Sequence, residues 1–317
     1  MKKMILLLLY FVVSLYSQTF TKPNFSFKAS SAVVDMVVKA GTLYVATDAS
    51  EVDIFDLRKQ KPIKTITIDK IKDFTGDEVD ARVFSVDAVK NKILILSQAE
   101  QGFGRVYIYE NNKLDIVVPV SMSLSIAQAK FLDTDTILLA LLSDELVSYD
   151  LKSRKINWRV QVSGSRFSNF ALDEMKQKVV VADESGDLQI VNTKDGSHVK
   201  SLSGQNVDNV FQVDYKNDII VSAGKDRRVV VYNLKAKSAY YKISNFLIYS
   251  VGLSPSAKLV GYSSDENNNI TLFKTQTKSV VGRFGGNKMT PTKILFLDEK
   301  RLLVSTDNNI INMYIIK

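Results

Sequence analysis

The 317-residue sequence predicts an all-β, seven-bladed β-propeller, and three observations carry the prediction. A polar turn followed by alternating apolar positions recurs seven times along the chain at a near-constant period. Each period holds four short, β-branched runs separated by turn residues, which is the content of one propeller blade. The last period stops after its third run, whereas an unmatched strand-like run stands near the N-terminus.

In chain order, the first feature is a basic start at Lys2 and Lys3. The apolar run MILLLLYFVV (4–13) follows, and then a small residue, Ser17, before Gln18. This is the pattern of a secretory signal peptide over 1–17, too short and wrongly flanked to span a membrane. Residues 18–317 are then expected to form a single exported, monomeric domain with no stable membrane insertion. The chain contains no cysteine, which removes disulfides, thiolate metal sites, covalent haem attachment and a cysteine-linked lipid anchor. Hydrophobic residues make up 45%, enough for a large core. The formal charge is +8, and without Lys2 and Lys3 the balance is 40 Lys+Arg against 34 Asp+Glu, or +6. These charges are scattered with no basic block, so a nucleic-acid surface is not expected.

The run TFTKPNFSFK (19–28) has no place in the first repeat. It is expected to supply the outer strand that the last blade lacks, so that the ring is fastened by its own two ends. Pro23 suits an outermost strand, whose outer N–H row has no partner. The repeats themselves are clearest at their third runs. These are ATDASEVDIFDL, QGFGRVYIYE, LSDELVSYDL, ADESGDLQIVN, SAGKDRRVVVYNL, SSDENNNITLF and STDNNIINMY. The residues closing the motif are Asp56, Glu110, Asp150, Asn192, Asn233, Lys274 and Ile315, spaced by 54, 40, 42, 41, 41 and 41. In the fifth unit the four strands are expected at 210–215, 218–223, 228–233 and 238–243.

SAGKDRRVVVYNL resembles the third strand of a WD repeat, with Tyr232-Asn233 in place of Trp-Asp. No repeat carries a Gly-His pair, and the single histidine, His198, lies in an Asp-Gly-Ser-His segment. The resemblance is therefore to a degenerate WD-like propeller without a His–Asp network. The turn acids Asp48, Asp144, Asp183, Asp226, Asp265 and Asp307 are expected to bond their local backbone.

Chemistry-bearing patterns are sparse. A Ser/His/Asp triad would have to use His198, in a surface hairpin. One histidine and no cysteine disfavour zinc. Asp133-Thr-Asp135 and Asp265 to Asn269 offer oxygens without the length or glycine of a calcium loop. Trp158 is the only tryptophan, unlike quinone-cofactor propellers, and no glycine-rich phosphate loop stands between a strand and a helix. The expectation is a non-enzyme with no cofactor or metal, presenting loops on a rigid disk. The long first spacing marks the unusual surface. Its excess falls in DKIKDFTGDEVDAR (69–82) and SQAEQGFGR (97–105), two connections opening on one face. The candidate protein-binding face is Asp73, Phe74, Asp77, Glu78, Gln101, Phe103 and Arg105, together with Arg227 of the fifth unit's turn. Arg228 is expected to pair with a neighbouring acid.

Segments 73–87, 170–186, 206–233 and 249–259 together resemble the NapL family, exported WD-like accessory proteins encoded with periplasmic nitrate reductase in epsilonproteobacteria. That resemblance implies a periplasmic location and partners among nitrate reductase components, in assembly or maturation, with no cofactor and no functional residue set to carry over. Two other readings stand beside it. One is a ligand- or metal-binding propeller, possibly hydrolytic, using the central channel. The other is an envelope protein-assembly factor, although the propeller of that machinery is anchored through a cysteine that this chain lacks.

Overall fold

A computed structural model describes residues 19–317, so the signal segment expected at 1–17 lies outside the described residues. Seven four-stranded antiparallel sheets form a ring of blades, covering 33–67, 83–118, 126–161, 167–202, 210–243, 251–284 and 291–315. The fourth strand of the seventh blade is Phe25–Lys28, which pairs antiparallel with Ile310–Ile315. The sequence prediction of a seven-bladed propeller closed by its N-terminal strand is therefore the observed architecture.

Burial follows strand position within each blade, and the sequence follows burial. Second and third strands are covered on both faces and read as continuous apolar runs, as in Ile219–Gly224 and Arg228–Asn233. Fourth strands form the rim and are mostly exposed, as in Ser238–Ile243. Apolar side chains gather in seven clusters, one at each seam between neighbouring blades. No blade has a core of its own, so each is stable only between neighbours, and the ring must close.

The seam between the seventh and first blades is held at its outer edge by Phe27, whose ring meets Phe55 edge-on at 5.4 Å between centroids. Ser26 Oγ donates to Asn312 Oδ1 at 2.7 Å. The N-terminal pairing is shorter than the whole 19–28 run. Thr21 bridges Phe284 of the sixth blade in parallel, and Pro23 sits in the link before the strand. Its missing N–H falls where no ladder bond is required.

Inner strands carry a shared irregularity. In six blades the pairing of the first strand slips by one residue, at Val33/Asp35, Val83/Ser85, Ile126/Gln128, Phe167/Asn169, Val210/Gln212 and Pro291/Lys293. A β-bulge re-aims the side chain that follows it. The re-aimed residues Asp35, Ser85, Gln128, Asn169, Gln212 and Lys293 are polar in every case, and they hold neighbouring blades together around the central channel.

Candidate interaction site and central channel

The insert after the first blade is a projecting β-hairpin. Ile71 is buried with Ile68, Ala81 and Val83 in the cluster between the first two blades and fixes the hairpin's base. Above it, Ile71 pairs with Val79 and Lys72 with Glu78. The tip is shaped by Asp73, whose Oδ1 accepts the N–H of Thr75 at 2.9 Å and of Asp77 at 3.0 Å. The Thr75 hydroxyl also donates to Asp73 at 2.6 Å, and these bonds hold the Asp73 carboxyl below its ordinary range. Gly76 takes φ +91°, a conformation that L side chains rarely adopt. The result is a stiff turn that holds Phe74 100% exposed, flanked by Asp77 and Glu78, both in water.

The neighbouring connection, 97–105, is tied to the hairpin's far end by the Gln98 N–H donating to the Arg82 carbonyl at 2.8 Å. Its residues behave differently from Phe74. Gln101 is exposed, with φ 60°, in a short 3-10 turn, Glu100–Gly102. Phe103 is half-buried, whereas Phe74 is fully exposed, so only one of the two aromatics stands wholly in water. Arg105 turns inward to Glu100 at 2.8 Å and to the Tyr107 hydroxyl at 3.1 Å. Arg227 is exposed at φ 64° on the fifth blade. Of the eight residues chosen from sequence, Asp73, Phe74, Asp77 and Glu78 share one protruding element. Phe103 and Arg105 serve the neighbouring loop's own packing, and Arg227 is four blades along the chain.

The turn of the fifth blade corrects one sequence expectation. Asp226 does bond its local backbone, accepting the Arg228 N–H at 3.0 Å, but its buried carboxylate does more. It accepts the Val207 N–H at 2.9 Å, and Asn206 Nδ2 lies 3.3 Å from Oδ2. Ser222 Oγ in turn donates to Asn206 Oδ1. Asn206 therefore stands where a histidine was sought, because a carboxamide can also donate on one side and accept on the other. The same reach from turn acid to preceding loop recurs as Ser31 to Asp48 and Ser163 to Asp183. Arg228 lies 4.0 Å from Asp226 and stacks on the Tyr241 ring at 4.3 Å.

The central channel entered the sequence reading only as an alternative site, and none of its lining residues was named. A cavity of about 460 Å³ runs between the inner strands. At its centre Asp35 receives two ammonium groups from other blades, Lys130 Nζ at 2.8 Å and Lys293 Nζ at 2.5 Å. Ser85 Oγ and the Val86 N–H also donate to it. Burial alone would raise the Asp35 pKa, yet the two ammoniums outweigh it and hold the carboxyl well below its usual range. Lys293 also shifts down, through burial and the nearby Lys130, despite the pull of Asp35. The Asp35 charge is thus favoured and the Lys293 charge disfavoured, because one carboxylate serves two lysines. The signal was present in the sequence as a polar residue at the same place in successive first strands, as in VVDMVV, IAQAKF and PTKILF.

Other candidate chemistry resolves into local structure. His198 Nε2 is exposed on an outer strand beside Ser201 Oγ at 3.0 Å and Gln189 Oε1 at 3.2 Å. Asp133 and Asp265 accept amides of their own turns. Among the described residues no helix is long and apolar enough to cross a membrane. The fold and its surfaces define a seven-bladed β-propeller with one projecting hairpin and a charged channel. No family model matches the chain, and no curated protein matches it.

Proposed function

We propose that the protein is a periplasmic, non-catalytic scaffold that binds another protein through the hairpin of its insert-bearing face. The single observation that carries this reading is Phe74, fully exposed at the tip of a turn stiffened by Asp73. A large aromatic in water costs stability and contributes nothing to this fold, whereas a rigid, solvated aromatic is well suited to anchor an interface. Asp77 and Glu78 beside it favour a partner with a basic rim around an apolar socket. The apolar run at 4–13 supports export. The likeness of segments 73–87, 170–186, 206–233 and 249–259 to NapL-family sequence supports components of a periplasmic nitrate reductase as the partners, and assembly or maturation as the role. The acid-to-loop network around Asp226 and Asn206 supports a WD-like ancestry for the blades.

The test is affinity capture from an exported fraction with the wild-type chain and with Phe74→Ala combined with Asp77→Lys and Glu78→Lys. The variant is expected to lose the reductase components while keeping the wild-type Tm. Unchanged capture would remove the hairpin from the interface, and capture lacking any reductase component would remove the respiratory assignment.

A further inference from the structure

The acids and lysines of the channel are used in different ways. Asp35, Asp87 and Asp214 each turn both oxygens to the wall. One oxygen accepts the N–H of the following residue, Met36, Ala88 or Tyr215. The other accepts an N–H of the next blade's inner strand, from Val86, Phe131 or Leu253. Asp173 and Glu174, at the mouth, are taken up by the turn amides of Gln177 and Asn217.

The lysines are less fully used. An ammonium carries three donors. Lys293 has one protein acceptor, Asp35 Oδ1. Lys130 has two, Asp35 Oδ2 and the Val86 carbonyl, and Lys176 has one, the Phe131 carbonyl. Each of the three therefore keeps donors without a protein acceptor among the described residues. Two of them share the single carboxylate of Asp35, while Lys216 pairs with Asp214. The lining holds five lysines and five acids, and the lysines differ from the acids in unused donors rather than in net charge. Lys39 adds a further exposed ammonium to the same lining.

We infer that the channel is a binding site for a small oxyanion of the carboxylate or phosphate class. Two acceptor oxygens would bridge Lys130 and Lys293, with Lys176 and Lys39 toward the mouth. The cavity of about 460 Å³ accommodates an anion of that size together with its remaining water. The oxygens of Asp35, Asp87 and Asp214 are turned to amides of the wall, whereas the three ammoniums keep unused donors for an anion. This site is separate from the hairpin and does not depend on the scaffold reading.

Isothermal titration of the exported chain with inorganic phosphate, acetate and citrate, at matched ionic strength, reads the inference directly. At least one anion is expected to bind at a single site, with Lys293→Gln weakening it about tenfold or more. Phe74→Ala is expected to leave that binding unchanged, which separates the channel from the docking surface. Absence of binding by all three anions, or equal affinity in Lys293→Gln, overturns the inference. Should Lys293→Gln fail to fold, Lys176→Gln decides, since it breaks no ion pair among the described residues. Weakened binding in that variant supports the site, and wild-type affinity rejects it.

Discussion

Asp144 stands at the turn of the third blade with its residue 1% exposed and neither carboxylate oxygen hydrogen-bonded. Ser163 donates its hydroxyl to Asp183 at 2.6 Å. Burial pushes the Asp144 carboxyl up to about 6, with little relief from Ser163 and a further push from the charge of Asp183. The folded state therefore keeps this proton to higher pH than the unfolded chain does. The stability it contributes is complete below about pH 4 and is lost as pH rises through about 6. Asp144→Asn should raise the Tm at pH 7.5, by a stability gain on the order of 2 kcal/mol, and change it little at pH 4. Thermal melts across that range check the prediction, and a Tm difference independent of pH would refute it. Asp226, the corresponding acid one position earlier in its own turn, shows what Asp144 lacks. Asn206 and the Val207 N–H reach it from the preceding loop.

At the scale of the element, the third and fourth strands of the fifth blade, 228–233 and 238–243, lie where the sequence placed them. Central strands buried on both faces read as unbroken β-branched runs, and turn residues close them, so these boundaries are written locally. The hairpin at 69–82 was visible only as excess length, because two paired residues on each arm are too few to show alternation. Phe74 and Phe103 have similar surroundings in sequence, and only the tertiary path buries one of them. Channel lining was hidden for another reason. Whether Asp35 or Met36 faces the lumen depends on a bulge, which no single strand reveals; only the polar residue repeated at the third place of successive first strands marks it. The sixth blade adds a close approach, because a Cβ at Gly252 would collide with the Ile294 carbonyl of the seventh. Gly252→Ala should cost about 1–3 kcal/mol, measured as a lower denaturation midpoint with an unchanged slope.

For the molecule as a whole, seven seams share the stability, and one of them differs in being made from both ends of the described chain. At its outer edge Phe25–Lys28 pairs with Ile310–Ile315. At its inner edge Lys293 of the seventh blade meets Asp35 of the first. Deleting 19–28 would uncover Ile311 and Met313 and leave the seventh blade with an unpaired edge. That truncated chain should melt at least several degrees below the full one and aggregate on heating, whereas an unaltered Tm would show that the inner contacts suffice.

The pairing of Ser26 with Asn312 spans 286 residues, so the strand finds its partner only after all the blades between have been synthesised. Loop-closure entropy makes such a contact slow to form, and it cannot serve as a nucleus. Segment 25–28 is made before its partner and waits unpaired while six blades assemble behind it. Closure of the ring is then a late event in folding. A chain stalled or clipped anywhere before 310 remains an open arc, with an apolar seam exposed to proteases.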